Sequence, residues 1–238
     1  MSKFLFVIPP FWGHINPTLS IGGTLLERGH DVAWAGMTKL NMKLFPSGAK
    51  YFYMEKTESK NKKEMERIIL LQNKGANMPA LEALKLGLED TYIPFARMMI
   101  DEFNEIVEQY KPDVIVNDCI TFVGGLSAQL KNIPFATITP ITPNALNDPQ
   151  SAPKVTEWVH KSIIDLQRFV GIDGDEEFVQ SKLLNMYYTS QLFCGLDNAS
   201  VPPYMKFIGA LTGRPDNTPF DWKKLDAMGD HPKIYISI

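Results

Sequence analysis

Cysteine is scarce in this sequence: its 238 residues include two, Cys119 and Cys194. They lie far apart and in no metal-binding or redox spacing, and two cysteines are too few for a disulfide framework. Long apolar runs are also missing. None approaches the ~18 residues of a membrane span, and the N-terminus lacks the pattern of a signal peptide. These absences predict a cytoplasmic protein without a transmembrane segment.

A surplus of basic residues is absent as well. Lys and Arg number 24 against 27 Asp and Glu, which gives a net charge of −3. Nucleic-acid binders normally carry a basic surplus on one face, so no nucleic-acid partner is expected. Residues 56–67 mix charges of both signs. This mixture predicts a solvated helix face, with weak contact to a membrane surface as the alternative.

Several nucleotide and nucleophile motifs are missing. Neither the G-x-G-x-x-G loop of dinucleotide enzymes nor the G-x-x-x-x-G-K-[ST] phosphate loop is present, which argues against both classes. The G-x-S-x-G elbow of hydrolases is absent too, since the nearest string, residues 125–129, lacks the second glycine. The three histidines beyond residue 14 share no metal-ligand spacing, so no metal site is predicted.

The first forty residues carry the clearest structural pattern. Residues 4–8 form a continuous apolar run, as expected of a strand that is buried on both faces. Asn16 and Pro17 then predict the N-cap and first residue of a helix that ends near Arg28, with Gly29 as its C-cap. Residues 31–35 form the next strand. This β-α-β unit favours a parallel sheet with a right-handed crossover.

The same alternation continues along the chain. It predicts an α/β fold, a Rossmann-like parallel sheet with helices on both faces. Further strands are predicted at 51–53, 114–116, 135–139, 192–194, 207–208 and 233–238. Helices are predicted at about 59–75, 79–110 (with an interruption near Pro94), 121–131, 155–170, 176–185 and 221–228.

Two polar residues follow the ends of predicted strands. His14 lies in the loop after the first strand, and Asp118 follows the strand at 114–116. The carboxyl ends of parallel strands form the ligand crevice of such sheets, so the two side chains are expected to face each other within hydrogen-bond reach. A carboxylate there would orient the imidazole. The alternatives are a surface histidine and an aspartate that caps the helix beginning near Thr121.

A pocket is predicted beside this pair. Large aromatic side chains near a candidate base suit an apolar ligand with one reactive hydroxyl, and the alternative is that they only cover the end of the sheet. The predicted pocket residues are Phe11, Trp12, Phe122, Ile141, Thr142 and Asn144.

Seven segments together resemble the N-terminal half of a family 1 glycosyltransferase of the GT-B fold, in the bacterial branch of macrolide and zeaxanthin glycosyltransferases. The resemblance covers nearly the whole chain, and the segments near the N-terminus are the most specific. The matching segments are FLFVI at 4–8, GHINP at 13–17, LERGHDV at 26–32, PDVIVND at 112–118, IPF at 133–135, FIGAL at 207–211 and PKIYIS at 232–237.

The resemblance implies a reaction and its participants. A hydroxyl of a small lipophilic acceptor attacks the anomeric carbon of a nucleotide sugar, usually a UDP-sugar, with inversion. By this analogy His14 is the general base, Asp118 is its orienting partner, and Gly13 belongs to the donor site. Neither a metal nor another cofactor is implied.

The resemblance also implies a domain division. Residues 1–211 are expected to form the acceptor-binding domain and 212–232 a linker, and 233–238 the first strand of a donor-binding domain. Because the chain stops inside that strand, we expect a truncated protein that does not transfer sugar alone. The alternative function is a non-catalytic small-molecule-binding module.

Overall fold

The computed structural model describes residues 1–75, 78–140, 152–196, 201–211, 221–232 and 234. One seven-stranded sheet runs through them in the order β3-β2-β1-β4-β5-β6-β7, and every neighbouring pair is parallel. The predicted parallel α/β architecture is therefore confirmed. The strands are β1 (Lys3–Val7), β2 (Asp31–Gly36), β3 (Lys50–Tyr53), β4 (Val114–Asp118), β5 (Phe135–Thr139), β6 (Asn185–Tyr187) and β7 (Met205–Phe207).

Helices cover both faces of this sheet. Alternate residues of β1 divide the core: Phe6 packs with Trp34 on the face covered by α1, and Leu5 packs with the α4 and α5 side. The helices are α1 (Trp12–Glu27), α2 (Glu55–Gly75), α3 (Ala80–Gly87), α4 (Ile93–Tyr110), α5 (Val123–Lys131), α6 (Pro153–Phe169) and α7 (Trp222–Asp226). No helix among these described stretches is both long enough and apolar enough to cross a membrane.

The start of α1 differs from the prediction. The helix begins at Trp12 rather than near Pro17, because the carbonyl of Phe11 already accepts the backbone N–H groups of His14 and Ile15. Pro17 therefore lies inside the helix, and the added turn brings His14 onto it. The predicted end is confirmed: Gly29 follows the helix with φ +80°, a conformation that glycine adopts without strain.

The region after α6 contains two wrong predictions. Residues 176–184 are not helical, and 192–194 form a turn instead of a strand, because β6 lies earlier, at Asn185–Tyr187. Side chains from elsewhere in the fold hold the 176–184 segment in an irregular path with two bends. The amide of Gln167 donates to the Glu176 carbonyl and accepts from the Phe178 N–H, both at 2.8 Å. These tertiary bonds outweigh the local preference for a helix.

The long helical stretch predicted at 79–110 is divided into three parts. A π-helical turn at Leu88–Tyr92 joins α3 to α4, and Pro94 lies in the first turn of α4. The short helix predicted near 221–228 is α7, capped by the side chain of Asp221. Residues 212–220 of the predicted linker lie outside the described residues, as does the strand at 233–238 apart from Ile234.

Candidate functional site

The sheet places His14 and Asp118 at one point of its carboxyl edge. β1 pairs with β2 on one side and with β4 on the other, so the connections diverge in opposite directions from β1 and β4. Ligands of open parallel sheets bind at this kind of switch point. His14 belongs to the first turn of α1, which follows β1, and Asp118 is the last residue of β4.

The predicted contact between these side chains is confirmed. Nδ1 of His14 lies 2.9 Å from Oδ2 and 3.1 Å from Oδ1 of Asp118. Asp118 is fully buried, and 17% of the His14 side chain is exposed. With its Nδ1 proton held by the carboxylate, the ring has Nε2 left to accept a proton. The catalytic roles of the two residues stay predictions.

Asp118 also organises the turn that follows it. Its Oδ1 accepts the N–H of Ile120 at 3.0 Å, and its carbonyl accepts the N–H of Thr121 at 3.1 Å. The alternative that Asp118 caps the helix is not met, because the N-cap residue of α5 is Phe122. The Asp118 side chain instead closes the turn ahead of α5 and contacts the imidazole at the same time. The Ile120 bond holds the carboxylate itself, so His14 contacts a positioned partner.

Asn117 is a structural residue of the site that sequence reasoning missed. Its fully buried amide donates to the Val179 carbonyl at 3.1 Å and accepts from the Thr121 hydroxyl and the Gly124 N–H. It therefore ties β4, the start of α5 and the 176–184 segment together. An asparagine within an apolar strand was the available signal.

A cavity of about 600 Å³ opens beside the pair. The Cys119 side chain joins the two features, because its sulfur lies within 4.8 Å of a His14 ring nitrogen and an Asp118 oxygen and also lines the cavity. The walls are largely apolar, with polar groups from the 177–187 region. They include Ala83, Leu84, Leu88, Tyr92, Ile120, Phe122, Thr139, Val159, Ile163, Glu177, Val179, Gln180, Lys182, Tyr187 and Tyr204.

The predicted pocket residues are placed differently from one another. Phe122 lines the cavity and packs edge-on against Tyr92, with ring centroids 5.7 Å apart. Phe11 packs between His14 and Phe95, with centroids 6.2 and 6.1 Å away, and does not line the cavity. Trp12 is 52% exposed and lies outside the cavity wall as well. The remaining predicted residues, Ile141, Thr142 and Asn144, lie outside the described residues.

Gly13 precedes His14 in the first turn of α1. A Cβ atom added there would meet no atom within 4 Å, so the backbone faces open space at a helix N-terminus. Such a terminus favours negatively charged groups. The space is compatible with the predicted donor role of Gly13, which stays a prediction.

Burial raises the pKa of two tyrosines and of the thiol that line the cavity. It raises the pKa of Tyr92 and Tyr187 to about 12. Burial and, secondarily, the charge of Asp118 raise the pKa of the Cys119 thiol. These groups therefore offer neutral hydrogen-bond donors at physiological pH, and the imidazole of His14 is the better candidate for accepting a proton.

Trp12 provides a test of the predicted pocket. The pocket predicted from the sequence would have Trp12→Ala raise the acceptor KM with a smaller change in kcat, because binding shared by the ground and transition states would be lost. Since the structure places Trp12 outside the cavity wall, we instead expect both constants to stay unchanged in a protein that joins this chain to a donor-binding half. Steady-state kinetics with varied acceptor measure both constants. Phe193→Ala is the matched control, since Phe193 is 77% exposed in the turn after β6. A raised acceptor KM in Trp12→Ala would show that this residue does contact the acceptor.

Comparison with curated proteins gives two relatives, a synthase and a glycosyltransferase. No protein-family profile matches the chain. A 4'-demethylrebeccamycin synthase of Lentzea aerocolonigenes is 23% identical over 58% of this chain and 32% of its own length. The NDP-glycosyltransferase YjiC of Bacillus subtilis is 24% identical over 52% of this chain and 28% of its own length. The matched part of the chain thus spans about a third of these relatives.

Solved structures agree on the fold. The glycotransferase of kitacinnamycin superimposes with a TM-score of 0.65 at 16% identity, over 91% of this chain and 53% of that protein. The Streptomyces glycosyltransferase SsfS6, solved with thymidine diphosphate, gives 0.56 at 17% identity, over 92% of this chain and 56% of that protein. The chain has the Rossmann-like fold of one half of a GT-B glycosyltransferase. The resemblance stated from its sequence is thereby confirmed.

Proposed function

We propose that this chain is the acceptor-binding half of an inverting glycosyltransferase. The whole enzyme moves a sugar from a nucleoside-diphosphate sugar to a hydroxyl of a small lipophilic acceptor. The observation that carries the proposal is the contact between His14 and a buried carboxylate at the switch point, next to a cavity. The sequence similarity to natural-product glycosyltransferases supports the same reaction.

The geometry supports one proton transfer. Nε2 of His14 accepts the proton of the acceptor hydroxyl while that oxygen bonds to the anomeric carbon of the sugar. The bond between this carbon and the phosphate oxygen breaks, and the nucleoside diphosphate leaves with the electron pair. Attack from the face opposite the leaving group inverts the anomeric centre. Asp118 stabilises the imidazolium that forms, as buried carboxylates do in other histidine dyads.

The cavity supports the proposed class of acceptor. Its volume of about 600 Å³ lies within the roughly 300–1,000 Å³ of small-molecule sites. The side chains of α3 and α6 give it apolar walls, which suit a lipophilic ring system. The tyrosines and Gln180 supply hydrogen bonds that orient such a ligand. An acceptor in this space would lie beside Cys119, whose sulfur is within 4.8 Å of a ring nitrogen of His14.

The donor is proposed to depend mainly on a second half that this chain does not contain. The resemblance implies a UDP-sugar, whereas SsfS6 was solved with thymidine diphosphate. We therefore propose a nucleoside-diphosphate sugar as the donor, a class that includes both nucleotides. The donor-binding half would select the nucleobase. Gly13 is proposed to supply the contact that this half of the enzyme makes with the donor. Neither a metal nor another cofactor is required, and a cytoplasmic enzyme is proposed.

Calorimetry on the 238-residue chain tests whether this half binds the acceptor and leaves the nucleotide to the donor-binding half. A lipophilic phenolic acceptor is expected to bind, and UDP and thymidine diphosphate are expected to bind weakly or not at all. Tight binding of either nucleotide would show that the domain assignment is wrong. If a protein joining this chain to a donor-binding half also bound acceptor but released no nucleotide from sugar donors, the non-catalytic binding module would replace the proposal.

A further inference from the structure

Three potential metal ligands of different chemistry meet at the carboxyl edge of the sheet. A ring nitrogen of His14, a carboxylate oxygen of Asp118 and the sulfur of Cys119 all lie within 4.8 Å of one another. Asp118 and Cys119 are consecutive, and the backbone N–H of Cys119 donates to the Ile138 carbonyl at 3.0 Å. The sheet therefore fixes two of the three groups.

We propose that this cluster is a Zn²⁺ site and that the bound ion inhibits the dyad. Imidazole, thiolate and carboxylate are the three side-chain ligands that Zn²⁺ takes in proteins. A thiolate also favours Zn²⁺ over Mg²⁺ and Ca²⁺, which prefer oxygen ligands. The relevant ligand is therefore a thiophilic divalent cation.

The distances fit a tetrahedral ion after a small adjustment. Zn–ligand bonds of about 2.0–2.3 Å place tetrahedral ligand atoms roughly 3.5 Å apart. For this geometry the His14–Asp118 pair, at 2.9 Å, must open slightly, and the Cys119 sulfur must close by about 1.3 Å at most. His14 is able to adapt because it belongs to the first turn of a helix and is partly exposed.

The cavity provides the path and the fourth ligand position. Cys119 lines a space of about 600 Å³, through which a hydrated ion reaches the sulfur. A site with three protein ligands keeps one position for water. Here that water would lie on the cavity side of the ion. The site thus has an entry route although Cys119 is only 5% exposed.

Binding changes the protonation of the cluster in a balanced way. The ion replaces the proton of the Cys119 thiol, which leaves to solvent, and it takes the position between His14 and Asp118. The proton on Nδ1 of His14 moves by way of solvent to Nε2, so the metal-bound imidazole is neutral. Ligand nitrogen and oxygen atoms then bond to the metal rather than to each other. The imidazole loses its orienting carboxylate, so sugar transfer by the complete enzyme is expected to stop while the ion is bound.

Cobalt(II) provides a direct probe on the 238-residue chain, because its thiolate complexes absorb in the near ultraviolet. Titration is expected to give a saturable 1:1 thiolate-to-metal absorption that Zn²⁺ displaces and Mg²⁺ does not. Cys119→Ser is expected to abolish this absorption, and His14→Gln to weaken binding at least tenfold. Cys194→Ser, which removes the other cysteine, is the matched control and is expected to retain both absorption and affinity.

Two results would overturn the site. The first is the absence of a saturable thiolate band, and the second is a band that persists in Cys119→Ser or disappears in Cys194→Ser. Circular dichroism of each variant checks that the fold is retained. The cobalt absorption is measured independently of sugar transfer. Absence of the thiolate band would therefore not contradict the proposed function, and absence of sugar transfer would not contradict the metal site.

Discussion

His14→Ala is expected to lower kcat by about 100-fold or more in a protein that joins this chain to a donor-binding half, the usual scale of general-base loss. The reason is that no other described side chain combines an imidazole with a buried carboxylate partner at the switch point. The acceptor KM should change much less, because the cavity walls remain intact. Release of the nucleoside diphosphate under saturating acceptor measures the effect.

Two further variants make this result specific. Asp118→Asn is expected to lower kcat as well, because an amide neither holds the same tautomer nor stabilises the imidazolium. His30→Ala is the matched control: His30 accepts a hydrogen bond from the backbone of Ser2, near the amino ends of β1 and β2. It should retain full turnover. A His14→Ala enzyme as active as His30→Ala would contradict the role assigned to the dyad.

Gly125→Ala is expected to destabilise the fold by about 3 kcal/mol, near the upper end for overpacking a core. Gly125 lies in α5, and an added Cβ would overlap the backbone carbonyl oxygen of Phe178. Backbone cannot rotate aside as a flexible side chain does, so the 176–184 segment must move. Since Val179 and its neighbours line the cavity, acceptor binding should weaken together with stability.

Denaturant unfolding of the 238-residue chain measures this effect. A loss of about 3 kcal/mol corresponds to a fall in Tm of roughly 6–12 °C for a domain of this size. Gly23→Ala is the matched control, because the nearest atom to its added Cβ is a Pro46 side-chain carbon at 3.5 Å, an ordinary contact. Equal stability of the two variants would mean that α5 and the Phe178 backbone do not pack as described.

The dyad was predictable because its two signals are local and the sheet adds a general rule. An apolar run followed by His14, and another followed by Asp118, identify two strand ends. Parallel strands bring their carboxyl ends to one edge of the sheet, so the contact between His14 and Asp118 could be predicted without knowledge of the strand order. Gly22 lies inside the first predicted helix, and its missing Cβ leaves room for the Trp34 ring.

Other features of the fold and of the candidate site could not be predicted, because they depend on contacts between residues that are distant in sequence. The segment 176–184 carries helix-favouring acids, yet Gln167, Asn117 and Thr137 hold it in an irregular path through hydrogen bonds that no local pattern reveals. The cavity could not be predicted from the sequence for the same reason, since its walls come from α3, α6 and this segment. The start of α1 was misplaced because Asn16 and Pro17 imitate a helix start inside an existing helix.

The position of an acceptor hydroxyl relative to His14 tests the central claim most directly. A crystal structure of this chain with a bound lipophilic acceptor measures it. We expect the acceptor in the cavity beside Cys119, with its reactive hydroxyl about 3 Å from Nε2 of His14 and Nδ1 still bonded to Asp118. An acceptor bound elsewhere, or a hydroxyl out of hydrogen-bond reach of the imidazole, would contradict the account.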